Sequence, residues 1–169
     1  MNGAITLRLA LPRDAHAIAA LAREHIEAGL PPKYDAARIL RAMRRRDTVV
    51  LVAAEGSAVR GFAVMEFGEE RAHLVLLAVS PGHRRRGIGR RLIEWLLESA
   101  RTAGIASVHL ELRAGNAAAR RFYRAMGFSE TLLVPGYYGG REAALRMIRV
   151  LRAPGMALPA WQPPWLAQK

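Results

Sequence analysis

The sequence predicts an α+β fold of three layers, in which helices cover both faces of a mixed, mostly antiparallel central sheet of about seven strands. Two observations support this prediction. Strand-like runs joined by short turns occur before and after the middle of the chain, a pattern typical of antiparallel hairpins. Between them, residues 74–112 form a strand, a long helix and a second strand, and such a right-handed crossover makes its two strands parallel.

The first half of the chain supplies strands and two helices. Strand-like apolar patterns cover residues 4–10, 48–55, 58–67 and 71–79. Apolar residues at helical spacing predict one helix between Pro12 and Gly29 and a shorter helix that Asp35 caps. Residues 71–79 are apolar on both faces, so we expect this strand in the middle of the covered sheet.

The second half alternates long helices with strands. The pattern predicts helices over residues 87–103 and 117–126, and strands over 106–113, 128–134 and 142–151, with "PGYYGGR" as the loop between the last two. No linker divides the chain, so residues 1–152 are expected to form a single domain. Residues 153–169 contain four of the nine prolines and are expected to form an irregular tail.

Composition favours a cytoplasmic enzyme or binding module. The chain has 169 residues, of which 51% are hydrophobic and 24% charged, and it has no cysteine, which suits a reducing compartment. No apolar run reaches the length of a membrane span, and the first residues do not form a signal-peptide pattern, so no membrane partner is expected. These features are compatible with a monomer or a homodimer.

The formal net charge of +12 raises the question of nucleic-acid binding. Of the 26 basic residues 24 are arginine, and they are spread along the whole chain. Compositional bias therefore explains most of the charge, and a nucleic-acid partner is not expected. Only the arginines at positions 84, 85, 86, 90 and 91 are dense enough to suggest a site.

Those arginines surround two glycines in "HRRRGIGRRL", residues 83–92, between a predicted strand and a predicted helix. The first N–H groups of a helix have no intrahelical acceptor and are positively polarised, so Gly87 and Gly89 would let an anion approach the backbone. A tight turn with solvated arginines is the simpler alternative. Leu92 replaces the third glycine of a dinucleotide motif, and no P-loop G-K-[ST] follows. The pattern favours a phosphorylated ligand without the usual nucleotide motifs.

The stretch "LLAVSPGHRRRGIGRRLIEWLLESARTAGIASVHLELRAGNAAARRFYRAMGF" resembles the cofactor-binding half of the GNAT N-acetyltransferase superfamily. Residues 84–89 match its R/Q-x-x-G-x-G/A motif. "LELRAGNAAARRFY" and "YYGGREAALRM" are most similar to the ribosomal-protein-alanine N-acetyltransferases and related protein N-terminal acetyltransferases. The resemblance implies a GNAT-like sheet in which the two parallel strands splay apart.

The resemblance also implies acetyl-CoA as cosubstrate and no metal. The pantetheine arm would lie in the gap against backbone groups of Leu77 and Val79, and the Val79 N–H would face the thioester carbonyl. Asn116 is as well explained as a helix cap. The implied cofactor contacts are Leu77, Ala78, Val79, Arg84, Arg85, Arg86, Gly87, Ile88, Gly89, Arg90, Asn116 and Tyr123.

Two residues match the family's proton-transfer groups. Tyr123 in "FYRAMGF" corresponds to the general acid, and Glu111 in "LELR" to the proposed base. Each has a simpler explanation: Tyr123 as a core aromatic, and Glu111 as a carboxylate paired with Arg113 or another arginine. Tyr137 and Tyr138 match residues that could line a peptide-binding edge, although they could equally pack on the sheet.

The acceptor is less well defined than the reaction. The segment "EHIEAGLPPKYDAARIL", where the family builds its acceptor wall, does not resemble the ribosomal enzymes, and Ala143 stands where they often have aspartate. Deprotonating a lysine amine costs roughly 3 kcal/mol more than deprotonating an α-amine, so a weak base suffices for a protein N-terminus. A small-amine acetyltransferase and a non-catalytic CoA-binding sensor are the alternatives.

Overall fold

Seven strands and four α-helices make up the computed structural model, which describes residues 3–152. The strands are β1 (Ile5–Leu9), β2 (Thr48–Glu55), β3 (Ala58–Phe67), β4 (Arg71–Val79), β5 (Ser107–Arg113), β6 (Ser129–Tyr138) and β7 (Glu142–Val150). The helices are α1 (Ala15–His25), α2 (Ala36–Arg44), α3 (Ile88–Thr102) and α4 (Ala117–Ala125), and short 3-10 turns cover Pro12–Asp14 and Pro81–His83. The tail predicted for residues 153–169 lies outside the described residues.

All seven strands belong to one sheet, in the order β1-β2-β3-β4-β5-β7-β6. Among the described strands only β4 and β5 run parallel, and every other neighbouring pair is antiparallel. The crossover through α3 therefore has the predicted parallel geometry. β4, apolar on both faces in sequence, occupies the centre of the sheet. The predicted fold class is confirmed.

The parallel pair separates soon after it forms. Within residues 3–152, the ladder between β4 and β5 consists of three pairs and ends at His73↔His109. β4 remains paired with β3 as far as Gly61↔Val79, and β5 remains paired with β7 as far as Arg113↔Ala144. Because each strand follows its outer neighbour, a gap opens in the middle of the sheet.

A β-bulge lies where the gap begins. Val64 pairs with Leu76 and Met65 pairs with Leu74, so Val75 is the extra residue of β4. A bulge increases the local twist of its strand and bends it. This irregularity contributes to the divergence of β4 from β5.

The helices form one hydrophobic core on each face of the sheet. α3 and α4 cover one face, where Leu92, Leu96 and Leu110 are buried. α1 and α2 cover the other, against Phe62 and its buried neighbours. The gap between β4 and β5 thus lies between two packed layers, with α4 on one side and the end of α1 on the other.

The structure differs from the sequence prediction at the β6–β7 hairpin. β6 does not end at residue 134 but continues to Tyr138, and the tight turn is confined to residues 139–141. Pro135 and Gly136 have the composition of a loop, yet they produce only an irregularity, because the register shifts between Val134 and Tyr138 and pairing with β7 resumes. The two tyrosines therefore lie at the end of a strand.

Candidate active site

The gap between β4 and β5 contains a cavity of about 130 Å³. Residues 74–77 of β4 and 110–113 of β5 form its two long sides. α4 contributes Ala119 and Tyr123, and its cap residue Asn116 also lines the cavity. His25 and Ile26 at the end of α1, together with Tyr138, complete the lining. The cavity is bordered by elements from both faces of the sheet.

The backbone of β4 presents hydrogen-bonding groups to this cavity. Just after β4, the Ser80 N–H donates to the carbonyl of Arg60 at 2.8 Å, so Ser80 faces β3. Along an antiparallel pair, hydrogen-bonded and non-hydrogen-bonded positions alternate. The backbone N–H and C=O groups of Ala78 therefore face β3, and those of Leu77 and Val79 face the gap. The Val79 carbonyl accepts a hydrogen bond from Nε of Arg84 at 3.0 Å. The peptide groups assigned to the cofactor in the sequence, those of Leu77 and Val79, face the space between the strands.

The chain turns sharply between β4 and α3. Arg85 has a φ of 60° and Gly87 a φ of 75°, both in the left-handed region, and α3 begins at Ile88 without a side-chain cap. The first N–H groups of α3 therefore have no partner inside the helix and concentrate positive potential at its N-terminus. This arrangement suits a phosphate or pyrophosphate.

The clustered arginines have different environments. Arg90 pairs with Glu94 on α3 at 2.8 Å, and Arg91 donates to the Ile5 carbonyl of β1 at 3.2 and 3.3 Å. Among the described residues, Arg85 and Arg86 form no ion pair. These two are the arginines next to the helix start that are free to meet an anion.

Gly89 lies next to protein side chains at the start of α3. A Cβ at this position would lie 3.4 Å from Cζ of Phe122 and 3.8 Å from Val79. A Cβ would therefore make van der Waals contact with these two side chains, so packing alone does not require glycine at this position.

Acetyl-CoA, the group implied by the sequence, fits these residues. Its pantetheine arm contains amide groups that can pair with unpaired peptide groups, such as those of Leu77 and Val79, and its pyrophosphate requires an anion site. The turn Pro81–His83 leads directly from the end of β4 to the start of α3. The peptide-binding edge and the anion site thus adjoin along the chain.

Glu111 lies in a hydrogen-bonded cluster at the base of the gap. Its Oε2 is 2.6 Å from Nε2 of His73 on β4, its Oε1 is 3.4 Å from Nε of Arg146 on β7, and its side chain is 16% exposed. The hydrogen bond to His73 holds the pKa of Glu111 below its ordinary value. The same bond raises the pKa of His73. The carboxylate is therefore ionised, and the imidazole is the more basic of the two groups.

His73 was not identified from the sequence. It is 38 residues from Glu111 along the chain. The two meet because His73 is the last residue of β4 in the parallel ladder. Arg113, one possible partner of Glu111 in the simpler alternative, pairs with Glu142 on β7 at 3.2 Å, whereas another arginine, Arg146, lies beside Glu111.

Arg113 fixes the end of α1 beside the gap. Its Nη2 donates to the carbonyls of Ile26 and Ala28 at 3.1 and 2.7 Å. Its guanidinium also lies 5.6 Å from the ring centroid of Tyr138. Arg113 therefore connects the chain after α1, the sheet and the β6–β7 hairpin around one side of the cavity.

Tyr123 lines the opposite side and is also part of the core. Its side chain is 8% exposed and makes edge contacts with Phe122 and Phe128, with ring centroids 5.1 and 5.6 Å away. Burial raises the pKa of Tyr123 well above its ordinary value, so the phenol stays protonated. The aromatic packing considered as its simpler role is present, and the side chain also borders the gap.

Asn116 and the two hairpin tyrosines occupy the rim. The Asn116 Oδ1 accepts the N–H of Ala119 at 3.1 Å, so this residue does cap α4. Tyr138 lines the cavity, and burial raises its pKa to about 12. Tyr137 is 45% exposed, and its ring lies 4.9 Å from that of Tyr138. The structure brings Glu111, Tyr123, Asn116 and Tyr138 to one cavity, with Tyr137 at its outer edge.

Within residues 3–152 no helix is long and apolar enough to cross a membrane. The same residues contain no group of three or more His, Asp or Glu side chains that could hold a metal ion.

Comparison with known proteins gives three informative matches. Over 96 residues the chain is 36% identical to the ribosomal protein bS18-alanine N-acetyltransferase of Escherichia coli (strain K12), a match that spans 55% of this chain and 65% of that enzyme. The structure of Ard1 from Thermoplasma volcanium superposes with a TM-score of 0.78 at 31% identity, covering 89% of this chain and 99% of that one. The structure of yncA from Salmonella typhimurium with its cofactor acetyl-CoA has a TM-score of 0.76 at 26% identity, covering 92% and 100%.

A family model gives the assignment. The model of the acetyltransferase (GNAT) family matches residues 15–128, which is more than half of the chain. The splayed strands, the arginine-flanked start of α3 and the family model agree, and the protein belongs to the acetyltransferase (GNAT) family.

Proposed function

We propose that the protein transfers the acetyl group of acetyl-CoA to a primary amine, and that the amine is the α-amine of a protein N-terminus. The observation that carries the proposal is the gap between β4 and β5, where Leu77, Glu111 and Tyr123 line one cavity and Glu111 is hydrogen-bonded to His73. Acetyl-CoA supplies the acetyl group as a thioester. The chain's own residues bind it, orient it and move protons.

The cofactor site extends from the gap to the start of α3. Leu77 and Val79 bind the pantetheine arm through their peptide groups, and the N–H groups at the start of α3 bind the pyrophosphate. Ala78 and Asn116 lie beside the arm. The peptide groups of Ala78 do not bind the arm because they face β3. The full proposed set is Leu77, Ala78, Val79, Arg84, Arg85, Arg86, Gly87, Ile88, Gly89, Arg90, Asn116 and Tyr123.

Proton removal is assigned to the pair of Glu111 and His73. An ammonium has no lone pair, so a base must take one proton before the nitrogen attacks the thioester carbonyl. Glu111 alone is a weak base because its pKa is lowered. His73, whose pKa the carboxylate raises, is better matched to an α-amine with a pKa near 8. We assign the contact with the ammonium to Glu111, which lines the cavity, and the onward acceptance of the proton to His73, which is hydrogen-bonded to that carboxylate.

Tyr123 and Val79 act on the other side of the reaction. Negative charge develops on the carbonyl oxygen during acyl transfer, and the Val79 N–H is available to that oxygen. The departing sulfur must gain a proton, and the attacking nitrogen must lose a second proton to become an amide. The hydroxyl of Tyr123 would give its proton to the sulfur and regain one from that nitrogen through water.

An N-terminal acceptor is supported by two lines. The Escherichia coli relative acts on ribosomal protein bS18, and the neighbouring fold from Thermoplasma volcanium is an Ard1 protein. A base of modest strength is adequate for an α-amine and inadequate for a lysine side chain. Tyr137 and Tyr138 would line the peptide-binding edge.

A single domain over residues 1–152, a cytoplasmic location and the choice between monomer and homodimer stay predictions.

The acceptor is tested by measuring thiol release from acetyl-CoA. Peptides with a free N-terminal alanine or serine should have a higher kcat/KM than N-terminally blocked peptides that contain lysine, and than polyamines, because only the first group has an amine with a pKa near 8. Turnover of small amines with none of peptides would contradict the N-terminal acceptor and leave acetyl transfer intact. Tight CoA binding without turnover of any amine would identify a sensor.

Cofactor binding depends on the start of α3. CoA should raise the Tm of the wild-type protein, and the double substitution Arg85→Glu/Arg86→Glu should abolish most of this rise, because two carboxylates would repel the pyrophosphate. The control Arg44→Glu/Arg46→Glu makes the same change in net charge on exposed residues of α2 and the following loop, and it should keep the rise. An equal loss in both variants would mean that total charge is responsible.

The pH dependence of transfer tests the pair of Glu111 and His73. In Glu111→Gln a neutral amide no longer stabilises the imidazolium, so the pKa of His73 should fall toward 6.5, as followed by NMR titration. Because only the neutral imidazole accepts a proton, the lower pKa of His73 should move the acidic limb of the kcat profile to lower pH. The loss of kcat should be largest between that limb and about pH 8, and it should shrink above pH 8, where the amine is already neutral. His109→Gln, on the same strand as Glu111, is the matched control. A deficit independent of pH would argue against a role in proton transfer.

Removing only the hydroxyl of Tyr123 tests the acid. Tyr123→Phe keeps the edge contacts with Phe122 and Phe128, so the fold and the CoA-induced rise in Tm should be preserved. kcat should fall by about 10²-fold or more, within the usual range for general acid catalysis. Turnover within a few-fold of wild type would show that the residue serves packing alone.

A further inference from the structure

A second cavity, of about 320 Å³, adjoins the gap on the α2 side of the sheet. It lies between α2 and the strands β3 and β4, and Tyr34 forms part of its wall. Val75 and Leu76 line both this cavity and the gap. The bulged segment of β4 thus borders both cavities.

The lining of the second cavity is strongly basic. Arg38, Arg41 and Arg45 line it, whereas Glu66 is its one carboxylate. Arg45 is already paired, through hydrogen bonds of 2.9 and 2.8 Å to Asp47. It also lies 3.9 Å from Glu66, so the carboxylate of the lining is compensated by the same arginine.

Arg38 and Arg41 have no such compensation. The guanidinium of Arg38 lies 4.8 Å from the ring centroid of Tyr34. The carboxylate of Asp35 accepts a hydrogen bond from the backbone N–H of Arg38, not from its guanidinium. In the part of the chain that the structure describes, neither guanidinium forms an ion pair. Arg38 and Arg41, one turn apart on α2, therefore line the same cavity without an ion pair. The parallel N–H groups of a guanidinium match the two oxygens of a carboxylate.

The sheet sets the distance between this cavity and the reacting amine. Glu66 on β3 is the direct cross-strand partner of His73 on β4, and His73 contacts Glu111 on β5. Two strand spacings of about 4.8 Å each separate Glu66 from Glu111, roughly 10 Å in all. An extended peptide covers this distance in about three residues at about 3.3 Å each.

We propose that the second cavity selects acceptor peptides with an acidic side chain two to four residues after the N-terminal amine, which Arg38 and Arg41 bind. The inference rests on the proposed N-terminal acetylation and specifies its substrate class. A basic side chain at the same place would face two unpaired guanidinium groups. The chain should therefore discriminate against N-termini rich in lysine or arginine.

The test compares peptides of equal length that begin with alanine and carry Asp, Asn or Lys at position 2, 3 or 4. At one of these positions at least, the Asp peptide should exceed the Asn peptide in kcat/KM by about fivefold or more, as expected for one to two partly exposed ion pairs. The Lys peptide should be the poorest substrate. Equal kcat/KM for Asp and Asn at all three positions would overturn the proposal.

Substitution of the arginines assigns any preference to the cavity. In Arg38→Gln/Arg41→Gln the kcat/KM of the Asp peptide divided by that of the Asn peptide should fall to about one. In the control Arg44→Gln/Arg46→Gln, which removes two exposed charges at and just after the C-terminal end of α2, the ratio of kcat/KM for Asp to Asn peptides should stay as in wild type. A ratio that persists in the first variant, or disappears equally in both, would show that the second cavity is not responsible.

Binding measurements separate this inference from the proposed function. Calorimetric titration of the Asp and Asn peptides into the CoA complex reports selectivity without turnover. Tighter binding of the Asp peptide that Arg38→Gln/Arg41→Gln removes supports the acidic site even if acetyl transfer is absent. Turnover of peptides with equal binding of both would retain N-terminal acetylation and reject the acidic preference.

Discussion

The separation of β4 from β5 is the constraint on which the rest of the site depends. β4 stays paired with β3 and β5 stays paired with β7 to the end of each strand, while the pairing of β4 with β5 stops at His73↔His109. Peptide groups of Leu77 and Val79 are left facing a gap inside the sheet, where an unpaired backbone group is costly unless water or a ligand bonds it. α3 starts just after β4 ends, and Tyr123 and Arg113 close the two sides of the gap. In the proposed function, the amide groups of the pantetheine arm would complete the sheet at this gap.

Most of the fold could be predicted because apolar residues repeat at helical spacing in the helices and at strand spacing in the strands, and because the connections are short. The apolar faces of residues 71–79 placed β4 in the centre, and the strand–helix–strand crossover made β5 parallel to it. The end of β6 could not be predicted in this way. Pro135 and Gly136 favour a loop locally, but the adjacent edge of β7 continues and pairs with Tyr138. Long-range pairing overrides local preference there.

The site was predictable where a motif is continuous in sequence and not where strands bring distant residues together. The arginine-flanked glycines, Tyr123 and Glu111 belong to recognisable stretches. His73 meets Glu111 across 38 residues, and only the register of the parallel ladder determines that contact. Gly89 belongs to a recognisable motif, although the protein around it leaves room for a Cβ in van der Waals contact with Phe122.

The distribution of charge around the gap gives a reason for acceptor orientation. Arginines without an ion pair lie on two sides of the gap, Arg85 and Arg86 before α3 and Arg38 and Arg41 on α2, and such potentials attract anions over several ångströms. Between them, Glu111 is the carboxylate that faces the gap, held by His73 and Arg146. This order of charges is the same from either end, so it does not by itself orient a peptide. In the proposed complex the cofactor phosphates would neutralise Arg85 and Arg86, which leaves Arg38 and Arg41 for an acidic side chain of the acceptor.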